Sequence, residues 1–120
     1  MSTTTTTHLL GQVLSVECFS REILEHITHK WSILVLHCLS QGVHRFSELK
    51  NRIHGISEKM LAQTLKILEK DGFILRTVYP TVPPKVEYQL TLIGSQVAEK
   101  VNHLIDWVQN NLVHFIENKS

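Results

Sequence analysis

The sequence predicts a mainly α-helical fold carrying one small β-hairpin, and three stretches predict it. Residues 68–94, LEKDGFILRTVYPTVPPKVEYQLTLIG, read as a helix end, a glycine turn, a strand, a proline-stiffened loop, a second strand and a helix start. Residues 46–70, just before, read as two helices joined by a short glycine-containing turn, the helix-turn-helix pattern. Residues 91–115, just after, carry apolar residues at near-heptad spacing. A hairpin directly behind a helix-turn-helix is a wing, so the fold class is a winged helix-turn-helix, dimerised through its terminal helices.

Taken in order, residues 1–8, MSTTTTTH, have nothing to bury and are expected to form a disordered tail. Residues 9–116 are expected to be one domain. Residues 9–16, LLGQVLSV, are apolar but interrupted by Gly11. They suit a short helix lying on another element or on a second subunit through Leu9, Leu10 and Val13. Ser20 is the expected N-cap of a helix to about His29, with Glu22 in its first turn and Ile23, Leu24 and Ile27 as its apolar stripe. Residues 31–40, WSILVLHCLS, are apolar almost all round, which predicts a helix buried on every side. Gly42 ends it.

Phe46, Leu49 and Ile53 then mark a short helix, His54-Gly55-Ile56 a turn, and Ser57 the cap of a helix to about Lys70, stopped by Gly72. In that second helix Leu61, Leu65 and Leu68 share one face, and Lys59, Gln63, Lys66 and Lys70 share the opposite one. A glutamine on such a face can bond adenine through both amide atoms, and lysines can reach phosphate or guanine. A solvated helix surface carries the same residue types, and that reading stands beside the first.

The strands Ile74–Tyr79 and Lys85–Leu90 are rich in β-branched and aromatic residues. Val86, Tyr88 and Leu90 alternate with Lys85, Glu87 and Gln89, giving an inner and an outer face; the first strand is apolar on both faces and its orientation stays open. Pro80, Pro83 and Pro84 remove backbone donors, which suits a wing tip and blunts an exposed edge. Arg76 and Lys85 flank the loop, within reach of phosphates. Thr91 caps a last helix to about Phe115. Val97, Val101, Leu104, Ile105, Val108 and Leu112 make its seam, with a polar break at Asn111. Dimerisation is the expected use of this stripe, because monomers seldom leave such surface open; packing on its own domain is the alternative.

Bulk properties narrow the classes. With 120 residues, one domain is expected. No apolar run approaches the ~18–20 residues that span a bilayer, and the first residues lack the basic and apolar regions of a signal peptide. Two cysteines make no disulfide framework, so a reducing cytoplasm is the expected location. The net charge is only +1, but it is unevenly placed. Residues 44–85 hold eight Lys and Arg against four Asp and Glu, an excess of +4, whereas the flanks are −1 and −2. The positive segment coincides with the helix-turn-helix and wing, as expected of a phosphate-binding face.

Read together, Cys18, Lys30-Trp31, Arg45-Phe46, Glu48-Leu49, Gly55-Ile56-Ser57, Leu61, Leu68-Glu69, Asp71-Gly72, the run VYPTVPPKVEYQLT and Gly94 make the chain resemble the HxlR-type transcriptional regulators, over about residues 18–112. The resemblance implies a homodimer on double-stranded operator DNA, with its recognition helix at Ser57–Lys70 and its wing at Tyr79–Lys85. It implies DNA contacts from Arg45, Ser57, Lys59, Met60, Gln63, Thr64, Lys66, Arg76 and Lys85. Two departures stand out: Cys18 is followed by Phe19 where the family often has proline, and Thr28-His29 replace a frequent Gly-Gly.

Some members of that family respond to oxidants or electrophiles through a cysteine at the position of Cys18. The reactive form would be the thiolate, which Arg21 and a nearby helix start would favour and Glu17 would oppose. A small buried hydrophobe is the plainer role of a free cysteine. A small-molecule or oxidant effector therefore stands as an alternative, as does a protein-docking module without DNA specificity. Cys38 lies in the all-apolar helix and reads as core. Glu22, His26 and His29 have a spacing that metal ligands use, but no compact Cys/His signature accompanies them. No metal, cofactor or membrane is expected. No phosphate loop, nucleophile elbow or H-E-x-x-H motif occurs, so no enzyme activity is expected.

Overall fold

The computed structural model describes residues 12–16 and 18–119; the expected disordered tail and the candidate interface residues Leu9 and Leu10 lie outside the described residues. Helix α1 (Phe19–Thr28) leads to α2 (Lys30–Leu39), α3 (Phe46–Arg52) and α4 (Glu58–Lys70). The antiparallel hairpin of β1 (Ile74–Tyr79) and β2 (Lys85–Leu90) follows, then α5 (Leu92–Asn110) and α6 (Leu112–Lys119). This is the mainly α fold with a hairpin wing that the sequence predicts. Among the described residues no helix is long and apolar enough to cross a membrane.

Helix α2 is the axis of the domain, in contact with α1, α3, α4, α5 and β2. Its sequence makes this possible: Ser32, Val35, Leu36, Cys38 and Leu39 are buried, with Val35 and Leu36 wholly out of solvent. Trp31, Ile33, Leu34 and His37 remain half-buried at its rim, so burial is wide rather than complete. Around it gather Leu49, Ile53 and Ile56 of the α3 segment, Leu61, Leu65 and Leu68 of α4, and Phe73, Ile74 and Tyr88 of the hairpin.

Helix α1 starts two residues earlier than expected. Its N-cap is Cys18, not Ser20; the Ser20 hydroxyl instead stands 2.8 Å from the Cys18 sulfur. Ile23 and Ile27 pack on the core, whereas Leu24 is exposed. His29 separates α1 from α2 and caps the latter, its Nδ1 accepting from the Trp31 backbone N–H at 3.3 Å.

Pairing settles the orientation of β1. Ile74, Arg76 and Val78 lie opposite Leu90, Tyr88 and Val86, and Leu75, Thr77 and Tyr79 lie opposite Gln89, Glu87 and Lys85. The first set is the face on which Ile74 and Tyr88 are buried. His44 adds a one-residue third strand: its N–H donates to the Tyr88 carbonyl at 3.0 Å and its carbonyl accepts from Tyr88 N–H at 2.8 Å. The tip holds a cis Val82–Pro83 peptide and a fully exposed Val82.

Two glycines close the unit. Gly72 takes φ +86° after α4, a region that side chains disfavour. Gly94 lies against the Phe73 backbone so closely that a β-carbon there would stand 1.9 Å from the Phe73 carbonyl oxygen. Thr91 completes the junction: its N–H donates to the Phe73 carbonyl, its hydroxyl donates to the Gly72 carbonyl at 2.6 Å and accepts from Gly94 N–H at 3.1 Å.

The last helix is not continuous to Phe115. It breaks at Asn111 (φ −119°, ψ 19°), whose Nδ2 donates to the Trp107 carbonyl at 2.7 Å; short amide side chains compete with the helix ladder in this way. Of the expected interface residues on α5, Val101 is buried in the domain's own core, a correction to its assignment. Val97 and Ile105 also pack on that core, because the first half of α5 lies along α2.

Candidate nucleic-acid interface

The short helix α3, the turn at residues 53–57 and α4 form the helix-turn-helix. Ile53 and Ile56 are buried and anchor the turn. Ser57 starts α4, its Oγ accepting from the Met60 backbone N–H at 3.0 Å. With Leu61, Leu65 and Leu68 fixed inward, Lys59, Gln63, Lys66 and Lys70 all emerge exposed on the other side, as their spacing demands. The outer face of α4 therefore carries three cations and one amide. Thr64 is a correction: it is only 4% exposed, because α1 and α2 close over that flank of α4, and it cannot reach a groove. Met60 is half-buried and packs against the core.

Arg45 sits at the N-cap of α3 with its side chain exposed; its backbone N–H donates to Glu48 Oε1 at 2.7 Å. Arg76 belongs to the hairpin face that carries Tyr88, and the two line a shallow groove with Ala62, Lys66 and Glu69 of α4. Helix α4 and the hairpin thus bring Lys66 and Arg76 together. Lys85 stands on the other hairpin face, so the two cations expected to flank the wing point to opposite sides. The Lys85 ammonium lies 3.5 Å from Glu87 and 5.1 Å over the Tyr79 ring. A hydrogen bond from the Tyr79 phenol to Glu87, and that carboxylate's charge, raise the phenol above its ordinary value.

Two polar ties hold this assembly in place and were not legible in the sequence. His44 is buried, its Nδ1 donating to the Gly42 carbonyl at 2.8 Å while its Nε2 accepts from Arg52 Nη1 at 2.7 Å. Only the neutral Nδ1–H tautomer satisfies both partners. Arg52 also donates to Gln41, so α3 is locked to the strand residue that bridges to the wing. At the far end of α4, His26 Nδ1 stands 2.6 Å from Asp71 Oδ2, joining α1 to the C-cap of α4. No motif marks either pair; each links residues of different elements.

Cys18 is buried at the start of α1. Burial pushes its thiol up, but hydrogen bonds from the Ser20 hydroxyl and from backbone N–H groups, including those of Arg21 and Ser20, outweigh this and leave it below its ordinary value. The Arg21 guanidinium is not a cause, for it bonds the Leu14 carbonyl and Glu25 instead. Cys38 shows the reverse: burial raises it, with the Arg52 charge opposing. Among the described residues no group of three or more His, Cys, Asp or Glu is placed to hold a metal; His26 and His29 are engaged as above.

Comparison with known proteins agrees with this architecture. The sequence profile of the HxlR-like helix-turn-helix family matches residues 26–115. The chain is 54% identical over 102 residues to the uncharacterised HTH-type transcriptional regulator YtfH of Escherichia coli (strain K12), covering 85% of this chain and 81% of that protein. The solved structure of the transcriptional regulator YtfH from Salmonella typhimurium superposes with a TM-score of 0.82 at 50% identity, over 88% of this chain and 94% of that one. The redox regulator HypR in its oxidised form gives 0.73 at 35% identity, over 78% and 97%.

Proposed function

The chain belongs to the HxlR-like helix-turn-helix family of transcriptional regulators, and from that premise we propose that it binds operator DNA sequence-specifically, as a homodimer on a pseudo-palindromic site. The carrying observation is the face of α4. Lys59, Gln63, Lys66 and Lys70 emerge together opposite a buried leucine row, beside Arg76 of the wing. Phosphate contacts from the lysines, Arg45 and Arg76 would position the helix, and Gln63 would read a base. Dimerisation is supported by the distal part of α5 and by α6, where Leu104, Trp107, Val108, Leu112, Val113 and Ile116 are exposed, more contiguous apolar surface than a monomer ordinarily shows. Two copies related by a two-fold axis would place two recognition helices on half-sites about one DNA turn apart.

Selection of duplex fragments by the purified chain tests this. The expected result is enrichment of a two-fold-symmetric site whose affinity falls steeply with salt. Gln63→Ala should relax one base step in each half-site at a cost of about 1–3 kcal/mol. Failure to enrich any site would reject sequence-specific DNA binding.

A second reading adds a thiol switch. It is favoured by the contrast between the two cysteines: the Cys18 thiol is lowered at a helix start, the Cys38 thiol raised in the core. The thiolate is the reacting form. In the same selection a thiol oxidant should abolish enrichment by the wild type and not by Cys18→Ser. Equal loss in both would remove Cys18 from the mechanism.

A further inference from the structure

Between α1 and the recognition helix lies a cavity of about 170 Å³. Met60 and Ile67 of α4 supply apolar wall, His26 and His29 stand along the α1 side, and Ser32 and Thr64 lie at its base. Ser32 and Thr64 are each only 4% exposed. Both residues nonetheless belong to the cavity lining, so their hydroxyls are the polar groups that a guest there would meet. A mainly apolar space with two hydroxyl-bearing residues in its lining offers a small ligand both an apolar surface and a polar anchor.

We infer that this cavity is a binding site for a small neutral aromatic alcohol, of the phenol class, and that its occupancy is felt by the recognition helix. Size sets the first limit: an apolar cavity of about 150 Å³ takes up benzene, so one six-membered ring fills this one. Chemistry sets the second. Ser32 and Thr64 can donate to and accept from one hydroxyl, while the Met60 thioether suits an aromatic face. Charge sets the third, because the Glu25 carboxylate at the mouth disfavours an anionic ligand such as an aromatic acid.

The coupling follows from who lines the site. Gln63, in the exposed DNA-facing row, is also part of the cavity wall, and Thr64 is its neighbour. The 2.6 Å His26–Asp71 tie holds α1 against the end of α4, so a guest between them cannot be accommodated by simple separation of the two helices. Occupancy should instead alter how Gln63 is presented. The coupling rests on the DNA-binding reading above; ligand capture does not.

The test is titration of the full chain with phenol near neutral pH, followed by amide NMR shifts, with benzene as the comparator. Saturable binding is expected in the range of about 0.1–10 mM, as such a small ligand allows. It should be tighter than for benzene, with shifts centred on Ser32, Thr64 and Ile67. Thr64→Val, which keeps the volume and removes the hydroxyl, should weaken phenol about fivefold and leave benzene unchanged. Ile67→Phe should fill the space and abolish both. Absence of saturation, or equal affinity of wild type and a folded Thr64→Val chain for phenol, would overturn the site. With the selected operator, saturating phenol should lower affinity about fivefold or more; bound phenol with unchanged operator affinity would overturn the coupling. If no operator is found, the DNA-binding reading fails while the phenol titration still decides the site.

Discussion

Helices α2 and α5 start from similar apolar patterns and meet different surroundings. Every strongly apolar position of α2 touches some part of its own domain, and Val35 and Leu36 lose all contact with solvent. Helix α5 follows that course only for its first half, where Gly94, Ala98 and Val101 are buried. Past Ile105, the last residue of α5 that packs on the core, the stripe continues while the domain beneath it ends; Leu104 is already 54% and Trp107 56% exposed. Hydrophobic periodicity thus states that a face needs cover; it does not state whether the cover comes from the same chain.

The largest effect that would probe this contrast is expected in α2. Leu36→Ala should destabilise the fold by about 2–5 kcal/mol in a denaturant titration, since a wholly buried leucine leaves both lost transfer energy and a cavity. An effect under about 1 kcal/mol would mean that α2 is not the axis. Next comes the distal part of α5. Trp107→Asp combined with Val108→Asp should keep the helical circular dichroism, shift sedimentation to the monomer, and weaken operator binding roughly a hundredfold through loss of the second half-site. A double variant that remains assembled would place the interface elsewhere. The smallest effect belongs to the junction with α6. In a continuous helix Trp107 and Phe115 would stand about 12 Å apart along the axis, whereas their ring centres are 5.8 Å apart across the break at Asn111. Asn111→Ala should raise helix stability by about half a kcal/mol and part the two rings, seen as a change in Trp107 fluorescence in a Trp31→Phe background. Unchanged emission would show that Asn111 does not set the break.

The same contrast explains how much could be read from the sequence. The helix-turn-helix and the hairpin were legible because local signals mark them: the Ser57 cap, the leucine spacing of α4, the Gly72 stop and the proline loop. The outward row of Lys59, Gln63, Lys66 and Lys70 was legible because the leucines fix the helix by rotation. Thr64 was misassigned because only the arrival of α1 and α2 covers it, and nothing at positions 60–68 reports that. Val101 was misassigned for the same reason on α5. The orientation of β1 needed the register with β2, which places Arg76 and Lys85 on opposite faces. Ser20 was a chemically sound cap, but the backbone turns into α1 at Cys18. The His26–Asp71 and His44–Arg52 pairs join residues from separate elements, beyond the reach of any local pattern.

The absent side chain at Gly94 has a mechanical meaning. With the α5 backbone pressed onto Phe73 where β1 begins, and Thr91 bonded to both Gly72 and Phe73, there is no play between the root of the hairpin and the root of the long helix. They form a single stiff lever with its fulcrum at that contact. A rotation of α5 would be passed on to the root of the wing through that contact, and any residue larger than glycine at position 94 would prise the two arms apart.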